Sequence, residues 1–174
     1  MDIRWANSGD AETVALLHTT SWRDAYASIL SPEFLAGPIE QDRLDFWASR
    51  FASGRPEQAI FLAEEQRSPV GFVCVLGDDD AMFGSLIDNL HVAPPYRGRG
   101  VGEQLLSKAA SWISDASASS GIYLWVFEAN VAGRRFYARL GGKEVERSVS
   151  ALPSAKGQAV LRVTWDSAAA LKSI

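Results

Sequence analysis

Three glycines at a spacing of two stand just past the middle of the chain. They are Gly98, Gly100 and Gly102, and Arg97 and Arg99 add positive charge beside them. Amides at the start of a helix lack an intrahelical partner and carry partial positive charge, and glycine lets an anion approach the backbone closely. The pattern therefore predicts a binding loop for a phosphate or a diphosphate.

Two common phosphate-binding motifs do not fit this loop. A P-loop requires a lysine directly after its last glycine, and none stands there. A dinucleotide-binding fingerprint requires a third glycine at the position where this chain has Glu103. The spacing that remains is Arg-x-x-Gly-x-Gly, formed by Arg97, Gly100 and Gly102.

A predicted strand precedes the loop and a predicted helix follows it. Leu90 and Val92 alternate with polar residues, as in a half-buried strand, and Pro94–Pro95 ends cross-strand pairing. After the loop, apolar residues recur at steps of three and four, which predicts a helix over about 99–118. The apolar run 122–127 predicts a buried strand. The unit should therefore contain two parallel strands joined by a right-handed crossover.

Periodicity and turn residues predict the remaining elements. Gly77–Ser85 holds three consecutive aspartates and is predicted as a loop. Residues 1–166 are predicted to form one domain, and residues 167–174 a loose tail. The other predicted strands are 2–6, 58–65, 70–76, 143–150 and 158–165, and the other helices are 10–27, a short one from Ser31, 44–51, and one from Asn130 to the glycine pair at 141–142.

A second group of functional candidates lies where the helix after strand 122–127 begins. Asn130 is well suited to cap that helix. Tyr137 follows seven residues later, which is about two helical turns, so both side chains should project from one side. From the residues alone, Tyr137 could equally be a core tyrosine beside Phe136.

These motifs together resemble those of the Gcn5-related N-acetyltransferase (GNAT) superfamily. The loop resembles its acyl-CoA loop, the preceding Leu-His-Val-Ala-Pro resembles the strand that leads into it, and Ala-Asn, Phe-Tyr and the double glycine resemble its fourth-helix motif. The element order also matches over about residues 2–166. The resemblance implies an α+β fold, the GNAT fold, with a mixed, mostly antiparallel twisted sheet of about seven strands and about four flanking helices.

The resemblance also implies a role for individual residues. Acetyl-CoA would be the co-substrate, the amide of Val92 would polarise the acyl carbonyl, and Tyr137 would protonate the departing thiolate. A thiolate with a pKa near ~8.5 leaves more readily when a hydroxyl shares a proton with it. The cofactor-binding residues expected on this basis are Leu90, His91, Val92, Arg97, Gly98, Arg99, Gly100, Val101, Gly102, Glu103, Asn130 and Tyr137.

A general base is harder to identify from the sequence. An amine with a pKa near ~10.4 is mostly protonated at neutral pH, so a group must accept its proton. Asp88 is the catalytic candidate, and strand alternation predicts that it shares a face with Val92. Glu128 and His91 are alternatives, with His91 expected on the opposite face. Relatives that acetylate protein N-termini can carry a glutamate at the position of Trp125, and it is absent here.

The first helices contain the expected acceptor pocket. The segment SWRDAYASILSPEFL resembles the wall of that pocket in many family members, which implies Trp22, Tyr26 and Phe34 as pocket residues. Trp22 is in phase with Leu17, so it could instead be a core residue. No histidines and carboxylates have ligand spacing, and no metal site is predicted.

Composition limits the class of protein. The chain has 174 residues, 47% of them hydrophobic, and a net charge of −4. That charge argues against a nucleic-acid partner and favours a cationic acceptor. No apolar run could span a membrane, the N-terminus lacks the apolar region of a signal peptide, and the one cysteine, Cys74, cannot form an internal disulfide. A cytoplasmic protein is expected.

The function predicted from these observations is transfer of an acetyl group from acetyl-CoA to a primary amine by direct attack. The alternative is a non-catalytic CoA-binding module that acts as a sensor or partner, and a phosphate-binding regulatory domain is a third option. The sequence does not determine whether the acceptor is a small molecule or a peptide, or whether the protein forms a homodimer.

Overall fold

A computed structural model describes residues 1–118 and 121–172 of the chain. Its seven strands form one sheet in the order β1-β2-β3-β4-β5-β7-β6. Neighbouring strands are antiparallel, apart from the parallel pair β4–β5. The predicted mixed, mostly antiparallel sheet is therefore confirmed. The strands are β1 Asp2–Trp5, β2 Gln58–Glu65, β3 Ser68–Asp80, β4 Gly84–Val92, β5 Ile122–Phe127, β6 Lys143–Val149 and β7 Ala159–Trp165.

Helices cover both faces of the sheet. Residues of α1 and α3 form a core cluster with one face of β2 and β3, and α4 forms the larger core cluster on the opposite face. In the described part of the chain the helices are α1 Ala11–Ala25, α2 Pro32–Ala36, α3 Ile39–Ala52, α4 Val101–Ala116, α5 Val131–Arg139 and α6 Ala169–Lys172.

Helix α4 follows from its sequence pattern. Leu105, Leu106, Ala109 and Ile113 recur at helical spacing and are fully buried against the sheet. The helix begins after Gly100, whose φ of 80° is left-handed and unfavourable for residues with a side chain. Glycine at this position therefore lets the chain turn from the loop into the helix.

The parallel strands β4 and β5 separate soon after they meet. They pair only at Ser85 with Ile122 and at Leu86 with Tyr123, whereas β4 stays paired with β3 as far as Val92. A gap therefore opens in the sheet beside the last residues of β4. The glycine loop and the start of α4 lie at the end of this gap.

Two segments differ from the sequence prediction. The predicted loop Gly77–Ser85 is largely a continuation of β3 and β4, because aspartates find partners there: Tyr123 donates to Asp79 at 2.5 Å, and Asp80 accepts turn amides. The predicted loose tail includes α6, and its Leu171 is fully buried in the core beside α4. Residues 173 and 174 lie outside the described part of the chain.

Candidate functional site

The gap between β4 and β5 contains a cavity of about 510 Å³, here called the first cavity. Its walls are the C-terminal end of α1, the end of β4, the glycine loop with the start of α4, and one side of α5. Of the residues predicted to bind the cofactor, Arg99 alone is not in its walls. Arg99 instead pairs with Glu65 at 2.8 Å and lies over the Tyr96 ring. The structure thus brings the other predicted residues together around one cavity.

The backbone amide of Val92 points into this gap. The neighbouring Ala93 N–H donates to Val70 of β3 at 2.9 Å. Consecutive residues in an antiparallel strand direct their amides to opposite edges, so the Val92 N–H is directed away from β3. On that side β5 has already separated from β4. An oxygen atom in the cavity could therefore accept a hydrogen bond from Val92.

Glycine is needed at several positions of the loop. Gly98 and Gly100 have φ values of 72° and 80°, in the left-handed region. A Cβ atom at Gly102 would lie 3.1 Å from the Phe136 ring of α5, so glycine lets α4 and α5 approach each other. The first amides of α4 have no intrahelical partner, and the residues that carry them, Val101, Gly102 and Glu103, line the cavity, as an anion site requires.

Arg97 holds the loop in place with its side chain. Its Nε donates to the carbonyl oxygen of Val92 at 3.0 Å, and its guanidinium forms an ion pair with Asp24 of α1 and reaches Ser21. These contacts connect the loop, the end of β4 and α1. The sequence pattern predicted a phosphate contact for Arg97, and the structure adds this positioning role.

Tyr137 and Tyr26 both line the first cavity. Burial, with the nearby Tyr26, raises the pKa of Tyr137, so its hydroxyl keeps its proton at neutral pH. Burial also raises the pKa of Tyr26 to about 12, although a hydrogen bond with Asn130 opposes the shift. Asn130 caps α5 as predicted, accepting the Gly133 N–H at 3.0 Å.

A second cavity of about 570 Å³ shares two wall residues, Tyr26 and His91, with the first cavity. Trp22 and Tyr26 line this second cavity, as expected for an acceptor pocket, whereas Phe34 packs in a neighbouring apolar cluster. The remaining wall residues are Arg43, Phe46, Arg50, Asp88, Asn89, Trp125, Phe127, Val160, the last two residues of β6, Ser148 and Val149, and the loop residues 150–152.

Asp88 lies in the wall of the second cavity because of a β-bulge. Cys74 pairs with Asn89 and Val75 pairs with Ile87, so Asp88 is an extra residue in β4. Its carboxylate pairs with Arg50 of α3 at 2.9 Å, on the face opposite the α4 core. The predicted shared face with Val92 is therefore wrong, since strand alternation is interrupted by the bulge.

The three candidate bases differ in their surroundings. Burial raises the pKa of Asp88, and the ion pair with Arg50 opposes the shift. Burial lowers the pKa of His91 to about 3, with Arg97 and Arg43 acting in the same direction, so its ring is neutral. Glu128 lies outside both cavities and pairs with Arg147 at 2.9 Å, which lowers its pKa. Of the three candidates, Asp88 is the one carboxylate that lies in the wall of a cavity.

Sequence analysis did not identify the contribution of α3. Arg43, Phe46 and Arg50 of this helix line the second cavity. Arg43 and Arg50 lie on the same helix face as Trp47, which is buried. Two arginines on an otherwise apolar face could have indicated, from the sequence, that α3 contributes to a site. Ser21 was also missed, although its hydroxyl lies 3.0 Å from Nδ1 of His91.

Within the described ranges, no helix has the length and apolar character needed to cross a membrane. The same ranges contain no cluster of three or more potential metal ligands from histidine, cysteine, aspartate and glutamate.

Comparison with known proteins gives concordant results. An uncharacterised N-acetyltransferase of Methanocaldococcus jannaschii is 31% identical over 104 residues, which are 58% of this chain and 46% of that relative, less than half its length. Mycobacterium tuberculosis Rv2775, named a probable N-acetyltransferase, is 30% identical over 79% of this chain and 76% of its own.

A solved structure supports the fold independently. The PaiA N-acetyltransferase of Thermoplasma acidophilum, crystallised in complex with coenzyme A, superimposes with a TM-score of 0.74 at 20% identity, covering 94% of this chain and 98% of that one. The acetyltransferase (GNAT) family model matches residues 19–142, a range that holds the glycine loop, Asn130 and Tyr137. This chain therefore belongs to the acetyltransferase (GNAT) family.

Proposed function

We propose that the chain moves the acetyl group of acetyl-CoA to a primary amine by direct attack of the amine on the thioester. The catalytic domain would be residues 1–166, with α6 packed on it, and the protein would act in the cytoplasm. The observation that carries this proposal is the amide of Val92, which opens into the gap in the sheet. Beside it, the two cavities share Tyr26 and His91.

The first cavity suits acetyl-CoA. Its diphosphate would accept hydrogen bonds from the loop and the first amides of α4, and its thioester arm would lie along Leu90–Val92. The carbonyl oxygen of the acetyl group would then accept the Val92 N–H. A preorganised donor to an oxyanion is worth about 2.7–4 kcal/mol in the transition state.

The second cavity suits the acceptor amine. Asp88 would take the proton of the ammonium group, directly or through water, and the neutral nitrogen would attack the acetyl carbon. The new N–C bond forms as the C–S bond breaks, and Tyr137 gives its proton to the departing thiolate. Its raised pKa keeps that proton available before the reaction. The surplus proton of the nitrogen then leaves through water and restores the Tyr137 hydroxyl.

The acceptor is inferred to be a small molecule or a peptide. We do not expect nucleic acid to bind, because the chain carries a net charge of −4. A homodimer stays a prediction of the family resemblance.

Measurement of free CoA thiol over a panel of amines tests the proposal. We expect acetyl-CoA to raise the melting temperature, since a ligand that binds only the folded state stabilises it, and at least one amine to accelerate thiol release. Stabilisation without transfer to any amine would favour the CoA-binding module instead. If acetyl-CoA and CoA both failed to stabilise the protein, the anion site itself would be refuted.

A further inference from the structure

The charge of the second cavity identifies a class of acceptor, if the proposed acetyl transfer holds. Three charged side chains line this cavity: Asp88, Arg43 and Arg50. Asp88 and Arg50 form an ion pair at 2.9 Å and offset each other. Arg43 also has an acidic partner, Asp42 at 2.6 Å, but that carboxylate lies outside the wall. The wall itself therefore presents the Arg43 guanidinium, which favours an acceptor that carries an anionic group.

Arg43 is held rigidly in that wall. It is only 8% exposed, and its guanidinium lies over the rings of Trp22 and Phe46 at 4.7 and 4.6 Å. Nε and Nη2 both donate to one oxygen of Asp42, which itself is not a wall residue. Across residues 1–118 and 121–172, Nη1 has no hydrogen-bond partner. A guanidinium with unused donors is well suited to a carboxylate.

The carboxylate and the two cations of the cavity are neighbours. Both guanidinium groups lie over the Phe46 ring, Arg43 at 4.6 Å and Arg50 at 4.9 Å from its centroid. Arg50 in turn holds Asp88. An acceptor that bridges Arg43 and Asp88 therefore needs its anion and its amine a short distance apart.

Aromatic side chains make up much of the remaining wall. Trp22, Tyr26, Phe46, Trp125 and Phe127 all line the cavity. Such a surface favours burial of an apolar or aromatic group. A polyamine would instead bring additional positive charge toward Arg43 and Arg50, which like-charge repulsion disfavours.

We propose that the acceptor is an α-amino acid with an aromatic or large apolar side chain. Its carboxylate pairs with Arg43, its side chain lies among the aromatic rings, and its α-amine points past Asp88 toward the shared wall of the two cavities. The α-ammonium gives one proton to Asp88, and the neutral nitrogen bonds to the acetyl carbon as the C–S bond breaks. The thiolate receives the proton of Tyr137, and the second proton of the nitrogen then leaves through water and restores the Tyr137 hydroxyl. The products are an N-acetyl amino acid and CoA.

Rates with matched acceptors test this assignment. L-Phenylalanine and L-leucine are compared with phenylalaninamide and phenethylamine, which lack the carboxylate, and with spermidine. We expect kcat/KM to fall about 10–100-fold without the carboxylate, as for loss of a charge-assisted hydrogen bond.

Variants connect that preference to Arg43. Arg43→Gln should raise the KM for phenylalanine about 10–100-fold, with kcat changed little and no effect on phenethylamine. Arg43→Lys keeps the charge and should recover part of the loss. Arg55→Gln, an exposed arginine after α3, is the control. Melting temperatures establish that each variant is folded.

A direct binding measurement does not depend on turnover. Leucine is not fluorescent, so its titration into the CoA complex can be followed by the emission of Trp22 and Trp125, which line the cavity. We expect saturable quenching or enhancement, lost in Arg43→Gln.

The outcomes separate the two proposals. If phenethylamine or spermidine matches phenylalanine, transfer stands and the amino-acid assignment is overturned. An Arg43→Gln protein that is folded and keeps the KM of the wild type for phenylalanine also overturns it. If no amine is acetylated, the proposed function fails, and the assignment with it.

Discussion

The two cavities beside β4 are built from different kinds of group. The first has backbone amides as its expected ligands, in the glycine loop and at Val92, and its wall residues before α5 lie mostly close together in sequence. The second presents side chains from α1, α3, β4, β5, β6, β7 and the loop between β6 and β7. A site made of amides suits one fixed ligand shared by a family, whereas a site made of side chains can change its acceptor by substitution.

The largest effect is expected for substitution of Asp88, a side chain in the wall of the second cavity. Asp88→Asn should lower kcat about 100–1,000-fold, because a general base contributes about 10²–10⁴-fold. Glu128→Gln, outside both cavities, should change little. The measurement is thiol release at saturating acetyl-CoA.

The pH dependence of kcat/KM also tests Asp88 as the general base. Asp88 acts only when ionised, so kcat/KM should fall as the pH drops through its pKa, which burial raises above the ordinary 3.8. That acidic limb should disappear in Asp88→Asn. If Asp88→Asn kept the wild-type rate and the same loss of activity at low pH, Asp88 would be excluded as the base.

Tyr137→Phe is expected to have the next largest effect. Loss of the hydroxyl should lower kcat about 10–100-fold while the dissociation constant of acetyl-CoA stays within about 2-fold, since proton transfer is needed only as the thiolate leaves. Tyr26→Phe is the matched comparison, because Tyr26 lines the same cavity. If kcat were unchanged in Tyr137→Phe, Tyr137 would not be the general acid. If kcat fell only in Tyr26→Phe, Tyr26 would be the general acid instead.

A glycine substitution tests the backbone half of the comparison. Gly100→Ala places a side chain at a φ of 80° and costs about 1–2 kcal/mol of local strain, so acetyl-CoA should bind about 5–30-fold more weakly. Gly37→Ala is the control, because its φ of −140° is ordinary and no atom lies within 4 Å of the added Cβ. Equal cofactor affinity in wild type and Gly100→Ala, measured by calorimetry, would show that the loop does not bind the cofactor.

The two loop arginines provide the smallest expected difference. Arg97→Gln removes the contacts with Val92 and Asp24 and should raise the KM for acetyl-CoA about 3-fold, as for a partly exposed pair. Arg99→Gln, which faces Glu65, should change it less. A larger increase of the KM for acetyl-CoA in Arg99→Gln than in Arg97→Gln would mean that Arg99 contacts the cofactor.

Much of the first cavity was predictable from the sequence, and much of the second was not. The glycine spacing, the end of the strand at Val92 and the cap at Asn130 are local features, and local patterns encode them. Arg43 contacts Trp22, a residue of another helix, only through tertiary packing. The bulge at Asp88 also escaped prediction, although Ile87 and Leu90 stand three residues apart and both pack in the α4 core, which is a break in the alternating pattern.

The sequence by itself determined the family, the mixed sheet and the loop, because backbone conformation at a glycine turn and the burial of a helical stripe depend on neighbours in the chain. Only the tertiary structure decided that β4 and β5 separate, that the Val92 amide opens into the gap, and that Asp88 faces α3. These features arise from contacts between residues far apart in sequence, where burial and charge are set by the packing of whole elements. The whole-chain charge of −4 favoured a cationic acceptor, yet the local charge at Arg43 favours an anionic group on it.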